Sequence, residues 1–263
     1  MFDFLAYGAD RLQAFLLVNF RVSGLLLVAP LLGRGSMPPI IKVGLAVSLA
    51  VFLMPLVFNT TLPAFESLFD LTALGIKELL VGVLIGLLLK LVFYAAQAAG
   101  SVVGFQSGLS VANIIDPTTQ DQVNMVGEFW FLVASLVFLA IDGHHLVISG
   151  LADSFRFIPL GTAAFGATAA DLMMRLTSVL FTIALKFAAP VLITVFLVDV
   201  TMGTLARIIP QMNIFIIGIP VKIAVALLML AVSLPVFAWL LGNMTEFLDR
   251  HLDIMLEALA TGN

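Results

Sequence analysis

The sequence predicts an all-α protein whose helices are withdrawn from water. Hydrophobic residues fill 62% of the 263 positions and charged residues only 11%, whereas about a quarter of an ordinary soluble domain is charged. The mean hydropathy is +1.17. Apolar residues run continuously instead of alternating, which disfavours a closed β-barrel. These observations indicate a polytopic membrane protein or a subunit buried in a larger assembly, with about six or seven helices of about 20 residues.

The composition also excludes several classes of site. The chain has no cysteine, so it contains no disulfide, thiolate metal site or cysteine nucleophile. The net charge of −4 gives no indication of nucleic-acid binding. Asp3 and Asp10 stand where a signal peptide carries basic residues, so we expect the first apolar segment to be retained.

Proline residues divide the first half of the chain into predicted helices. Pro38 and Pro39 cannot continue a helix, so the segment from Gly33 forms a turn. The third helix runs to about residue 99, and residues 100–123 are the least regular part of the sequence. The predicted helices cover residues 10–32, 40–58 and 69–99.

The second half continues the helical pattern. Asp142-Gly143 separates two helices, Pro159–Gly166 is predicted as a loop, and Pro210 ends a long helix. Short connections between these helices favour antiparallel hairpins. The predicted helices cover residues 124–141, 144–155, 169–206 and 213–241, and kinks are predicted at Pro190, Pro220 and Pro235.

The last 21 residues differ in character from the rest. We expect residues 1–242 to form one hydrophobic helical domain and residues 243–263 to form an amphipathic tail. The polar face of this tail is acidic, whereas a helix lying on a membrane surface is normally basic. We therefore expect the tail to dock on protein, with its acids in water. The acids share one face at three- and four-residue spacing: Glu246, Asp249, Asp253 and Glu257.

Nine charged residues interrupt the apolar segments. A charge at the centre of a bilayer costs about 2.5–3.5 kcal/mol, so each needs a partner, water or an interface position. Six are basic and three acidic, so the bases cannot all pair within the set. We therefore expect several to face other subunits or water. The candidates for subunit-interface charges are Arg21, Lys77, Glu78, Lys90, Glu128, Arg175, Lys186, Asp199 and Lys222.

The distribution of basic residues does not fix a membrane orientation. The loops around residues 59–70 and 100–124 contain no lysine or arginine. Since the positive-inside rule needs a consistent alternation between loops, the sequence predicts a non-standard topology.

The sequence contains none of the common catalytic constellations. There is no His-Glu-x-x-His, no Gly-x-Ser-x-Gly and no P-loop, so we predict no enzyme activity, cofactor or metal site. Asp142, His144 and His145 resemble a metal cluster, but adjacent side chains on a helix diverge by about 100°, so the histidine pair is poorly placed to chelate one ion. Capping of a helix end and interfacial hydrogen bonding are the favoured interpretation, with a metal or proton-relay role as the alternative.

The strongest local pattern is the glycine series Gly100, Gly104 and Gly108. Spacing by four places the glycines on one helix face, where they allow close backbone packing. A second interpretation follows from the break at Asp116-Pro117, because irregular backbone at membrane depth is tolerated where it lines a cavity. A loop that lines or blocks a passage is the functional hypothesis. The candidate residues of this plug or gate are Gly104, Phe105, Gln106, Gly108, Leu109, Ile114, Ile115, Asp116 and Pro117.

Nearly the whole chain resembles the FliR-type family of flagellar export-gate proteins, whose relatives in virulence secretion form the SctT family. The best match is the block Gly100–Pro117, which contains the Gly-Phe-Gln core. The order and spacing of all the blocks make the resemblance specific. The blocks that carry it are Arg21–Gly24, Ala29–Leu31, Pro38–Gly44, Glu78–Gly86, Gly100–Pro117, Phe138–His145, Ser154–Phe155, Pro159–Gly161, Arg207–Asn213 and Gly218–Lys222.

The resemblance implies an architecture and partners. A FliR-type subunit would form helical hairpins in a hetero-oligomeric spiral with FliP-type and FliQ-type subunits, in the inner membrane at the flagellar basal body. The assembly would enclose a channel for unfolded flagellar proteins, with FlhB-type and FlhA-type proteins and membrane lipid as further partners. The plug of the family would correspond to about residues 104–124.

The last block of the resemblance has two interpretations. Arg207, Pro210, Gln211 and Asn213 could carry a function or form a structural turn between two helices, and the turn is favoured.

Three alternatives to a flagellar gate are compatible with a hydrophobic helical chain, but each is disfavoured. A virulence-type secretion gate is disfavoured because the Gly-Phe-Gln block resembles the flagellar branch more. A secondary transporter normally shows repeated halves and paired broken helices, and the sequence has no repeat. A membrane enzyme is disfavoured by the missing catalytic constellation.

Overall fold

A computed structural model describes residues 2–30, 38–57, 68–109, 124–211 and 213–261. These ranges are helical and contain no strand, which confirms the predicted all-α class. Seven α-helices lie within them: α1 Phe2–Val28, α2 Pro39–Val57, α3 Leu68–Ser107, α4 Met125–Ala140, α5 Gly143–Phe157, α6 Ala167–Ile208 and α7 Ile214–Thr261.

Two helices continue well beyond their predicted C-terminal ends. Helix α3 runs through Gly100 and Gly104 to Ser107, and α7 runs through Gly242 into the tail. A glycine inside a helix costs roughly 0.5–1 kcal/mol relative to alanine, which weakens a helix without ending it. Packing at Gly100 offsets that cost, because a Cβ there would lie 2.6 Å from the Cα of Gly127 on α4.

The chain divides into two compact units. The first comprises Met1–Leu91, Asp142–Thr177 and Thr245–Asn263, and the second comprises Val92–Ile141 and Ser178–Met244. Three of the four boundaries fall inside α3, α6 and α7, so each of these helices contributes residues to both units.

Close backbone packing between α1 and α3 organises the first unit. A Cβ atom at Gly24 would overlap the carbonyl oxygen of Leu79, and one at Gly82 would overlap the carbonyl oxygen of Arg21. At Gly86 it would lie 2.9 Å from the carbonyl oxygen of Leu25. The helices can therefore approach this closely only because these positions lack side chains.

The C-terminal part of α7 packs on the first unit. Leu252 covers Gly150 of α5, where an added Cβ would lie 2.7 Å from Cδ1 of that leucine. The backbone N–H of Ala164 donates to the carbonyl oxygen of Leu259 at 2.9 Å. Leu248, Leu252, Met255, Leu256 and Leu259 are buried, and Glu246, Asp249, Asp253 and Glu257 are exposed. The apolar side of the tail therefore packs on residues of its own chain, and its acidic side is exposed.

Aromatic side chains fill the core of the second unit. The ring of Phe93 on α3 lies 5.7 Å from that of Phe131 and 5.3 Å from that of Phe138, both on α4. Phe237 on α7 contacts Phe187 on α6 and the buried Trp130. These contacts hold four helices of the unit together.

Among the residues that the structure describes, five helices are long and apolar enough to cross a membrane. The stretches are Arg11–Val28, Pro39–Val57, Phe69–Ser107, Asp171–Ile208 and Ile216–Thr261. Most residues of the second, fourth and fifth stretches are not buried within the chain, so their cover comes from lipid or from other protein.

Replacing Gly82 by alanine tests the close packing of α1 on α3. Gly82→Ala should lower the stability of the full chain by about 1–3 kcal/mol, because backbone atoms have to move apart. The measurement is thermal unfolding in detergent. Gly203→Ala on α6 is the control, since a Cβ there meets nothing within 4 Å. It should leave stability unchanged or raise it by up to about 1 kcal/mol. Equal melting temperatures for the two variants would contradict the packing account.

Candidate functional site

An ion pair is completely buried in the first unit. Arg21 on α1 and Glu78 on α3 are both 0% exposed, and the Nε of Arg21 donates to Oε2 of Glu78 at 2.5 Å. The Nη1 group donates to the carbonyl oxygen and the hydroxyl of Ser154, at 2.8 Å and 3.1 Å. The Nη2 group donates to the carbonyl oxygen of Ile158 at 3.0 Å. Every nitrogen of the guanidinium therefore has an acceptor.

The carboxylate of Glu78 is satisfied in the same way. Its second oxygen, Oε1, accepts from the backbone N–H of Gly161 at 2.7 Å. Gly161 has a φ of 78°, a conformation that glycine adopts without strain. The ring of Phe155 lies 4.3 Å from the guanidinium carbon, close enough for a cation–π contact. One ion pair thus joins α1, α3, α5 and the loop after α5.

The buried pair changes the interpretation of two sequence candidates. Arg21 and Glu78 are among the predicted subunit-interface charges, but the structure gives each a partner inside the chain and leaves neither at its surface. Their acceptors and donors were not predicted as site residues. Ser154-Phe155 and Pro159–Gly161 occur among the blocks of the family resemblance, which was the available signal.

The described part of the predicted plug is the end of α3. Ser107 is its last residue, and Gly108 follows with a φ of 83°, a left-handed conformation that commonly ends a helix. The N–H of Gly108 donates to the carbonyl oxygen of Phe105 at 3.2 Å. Phe105 is 74% exposed and Gly104 is buried. The other plug candidates, Ile114, Ile115, Asp116 and Pro117, lie outside the described residues.

Polar bonds hold the end of α3 within the second unit. The Nε2 of Gln106 donates to Oδ2 of Asp199 on α6 at 3.2 Å. The other carboxylate oxygen of Asp199 lies 2.8 Å from Nζ of Lys222 on α7. The two charged side chains are 40% and 21% exposed. Asp199 therefore bridges three helices of the unit and neutralises a lysine in an apolar helix.

The remaining charge candidates differ in exposure. Glu128 accepts from the Nε2 of Gln97 at 3.0 Å, and Lys90 is half-buried with an interaction of its own. Arg175 pairs with Asp171 at 2.7 Å on the exposed side of α6. Lys77 and Lys186 are exposed. Contact of these exposed charges with other subunits stays a prediction.

The predicted turn motif connects α6 and α7. Helix α6 ends one residue after Arg207, and Pro210 and Gln211 form a turn. The carbonyl oxygen of Asn213 accepts from the N–H of Ile216 at 3.1 Å and so opens α7. Arg207, Pro210, Gln211 and Asn213 are exposed. Whether these residues also carry a function stays a prediction.

The predicted capping role of Asp142 is wrong for its side chain. Asp142 stands at the N-terminal cap of α5 with a φ of 56°, and its carboxylate makes no capping hydrogen bond. It faces His144 and His145 instead, at 3.9 Å and 3.5 Å. The divergence expected on a regular helix applies to His144 and His145, which are adjacent residues of α5, whereas Asp142 precedes that helix.

Removing one partner of the buried ion pair should be strongly destabilising. Arg21→Met leaves Glu78 buried without compensation, which typically costs about 3–5 kcal/mol. We expect a large fall in the melting temperature of the detergent-solubilised chain. Combining Arg21→Met with Glu78→Leu should be less harmful than Arg21→Met alone. Arg175→Met is the control, because exposed pairs contribute about 1 kcal/mol or less. Similar losses for Arg21→Met and Arg175→Met would refute the assignment.

The chain matches a known family over most of its length. Residues 12–248 fit the sequence model of the family described as "Bacterial export proteins, family 1". The matched range includes the buried ion pair, the end of α3 and the turn between α6 and α7.

Individual relatives agree with this match. The flagellar biosynthetic protein FliR of Bacillus subtilis (strain 168) is 37% identical over 237 residues, which are 89% of this chain and 91% of the relative. The FliR of Escherichia coli (strain K12) is 31% identical over 218 residues, 83% of each chain. The FliR of Aquifex aeolicus (strain VF5) is 28% identical over 234 residues, 89% of this chain and 90% of the relative. The chain therefore belongs to family 1 of the bacterial export proteins and is a relative of the flagellar biosynthetic proteins FliR.

Proposed function

We propose that this chain is a non-enzymatic channel subunit of the flagellar protein export gate. The observation that carries the proposal is the family match over residues 12–248, supported by relatives that are named for flagellar biosynthesis. These names favour a flagellar gate over a virulence-type gate. The five apolar helices support a place in the inner membrane of the cell.

The exposed apolar faces support assembly with other subunits. Helices α6 and α7 carry large side chains that are more than half exposed in the isolated chain: Leu185, Ile193, Phe196, Leu197, Leu227, Leu228, Val232, Val236 and Trp239. FliP-type and FliQ-type subunits and lipid would cover these faces, and FlhB-type and FlhA-type proteins would join the assembled gate.

The exposed charges in the apolar helices also support assembly with other subunits. Lys77 and Lys186 are exposed on long hydrophobic helices. A lysine in this position needs water or an opposite charge. Acidic residues on neighbouring subunits would supply that charge, and the same contacts would fix the register of assembly.

The proposed plug begins at the C-terminal end of α3. Gln106, Asp199 and Lys222 hold this end to α6 and α7, while Phe105 is exposed beside it. The apolar side chains Phe105, Leu109, Ile114 and Ile115 would seal the resting channel. Arrival of an unfolded flagellar substrate or engagement of a partner would displace the plug.

Co-purification tests the assignment to a multisubunit gate. A tagged full chain, co-expressed with FliP-type and FliQ-type proteins from the same genome, should elute with both in one complex. Expressed without them, it should fold in detergent but self-associate into oligomers of no fixed size, because its apolar faces and exposed lysines lack cover. A monodisperse monomer or homo-oligomer that ignores both partners would contradict the proposal and favour a transporter.

Conductance tests the plug directly. Deleting residues 104–117 in the co-expressed complex should raise the ion conductance of reconstituted bilayers. Gln106→Ala, which removes the bond to Asp199, should raise it less. Gln97→Ala is the matched control, because this glutamine also donates from α3 to a carboxylate but lies nine residues earlier. An assembled deletion complex with unchanged conductance would exclude a plug in this segment.

A further inference from the structure

Three side chains with metal-binding atoms converge at the start of α5. Asp142, His144 and His145 each offer one ligand atom, and these atoms all lie within 4.8 Å of one another. Within the described ranges this is the one group of three or more such side chains. Neither the proposed channel nor its plug uses these side chains.

The distances fit a shared ion better than hydrogen bonds. The Oδ1 atom of Asp142 lies 3.5 Å from Nδ1 of His145 and 3.9 Å from Nε2 of His144, beyond the usual 2.7–3.2 Å of N–H···O bonds. Two ligands bound tetrahedrally to zinc at 2.0–2.1 Å stand about 3.3–3.4 Å apart. The two rings lie nearly stacked, with 4.3 Å between their centroids and 37° between their planes, so both must turn about their side-chain bonds for the three atoms to meet at one ion.

Asp142 forms the turn before α5 and has a left-handed backbone. Asp142 is the one non-glycine residue of the described ranges with a positive φ. Its carbonyl oxygen accepts from the N–H of His145 at 2.9 Å, which closes the turn. Its side chain does not cap α5, so the carboxylate is free to act as a ligand. A glycine would adopt this conformation without strain, and the chain places an aspartate there.

Asp142 supplies the negative charge beside the two histidines, and all three side chains are accessible to an ion from solvent. Asp142 is the single charged residue between Glu128 and Asp153 in the sequence. The N-terminus of a helix carries a partial positive charge that opposes a cation, so the carboxylate is needed to offset it. The side chains of Asp142, His144 and His145 are 74%, 45% and 72% exposed in the chain, and an ion reaches them from solvent.

We propose that Asp142, His144 and His145 bind one late first-row divalent metal ion, with zinc as the best fit. Two imidazole nitrogens and one carboxylate oxygen form a donor set that zinc uses in proteins. Magnesium and calcium prefer all-oxygen sites. Three protein ligands leave a fourth position for water. The bound ion fixes the turn that starts α5.

Metal titration of the full chain tests the proposal. The chain is purified in detergent with a tag that contains no histidine, stripped with a chelator, and titrated with Zn²⁺ by calorimetry and with Co²⁺ by visible absorption. We expect one ion per chain and the absorption of four-coordinate Co²⁺. Changing both His144 and His145 to alanine should abolish binding. Because loss of even an outer partner costs 10–100-fold in affinity, Asp142→Asn should weaken binding about tenfold or more.

Two further variants separate loss of a ligand from loss of the fold. Asp142→Gly removes the carboxylate and suits the positive φ, so it should keep the melting temperature of the metal-free chain while losing affinity. His251→Ala removes the third histidine, whose ring bonds the carbonyl oxygen of Phe247 on α7, and should bind zinc normally. Absence of stoichiometric binding, or equal binding by the double histidine variant, would overturn the proposal and leave only an exposed carboxylate beside two imidazoles.

Discussion

The buried pair of Arg21 and Glu78 is the constraint on which the first unit depends. Two charges without exposure are tolerated only when their hydrogen bonds are complete, and completing them needs Ser154, Ile158 and Gly161 in place. The distance between α1 and α3 must therefore be one at which α5 and its following loop also reach the ion pair. Gly24 and Gly82 allow that distance, since any larger residue would separate α1 from α3.

A second network, made of a hydrogen bond and a salt bridge at Asp199, joins three helices of the second unit. Asp199 neutralises Lys222 and accepts from Gln106, so a lysine on an apolar helix is balanced within the chain. Lys77 and Lys186 differ because they are exposed. Charges in the apolar helices thus fall into two groups, one that stabilises the chain itself and one that is available for assembly. This division suits a subunit that packs mainly on other subunits.

The sequence predicted the helical class, because hydrophobic content, prolines and periodicity are local signals. It did not predict which acid meets Arg21, since Glu78 lies 57 positions away and only tertiary packing selects it. Helix α3 continues beyond its predicted end because Gly100 packs on Gly127, a contact with no local signal. The left-handed backbone of Asp142 and the absence of a capping bond from its side chain were not predicted either.

A cryo-EM structure of the co-expressed FliP-type, FliQ-type and FliR-type complex tests the central claim, the division of the charges, most directly. The account predicts that Arg21 and Glu78 bond each other within this chain, as do Asp199 and Lys222, and that Lys77 and Lys186 face acidic side chains of neighbouring subunits. Arg21 bonded to another subunit, or Lys77 and Lys186 facing lipid or water without a protein partner, would contradict it.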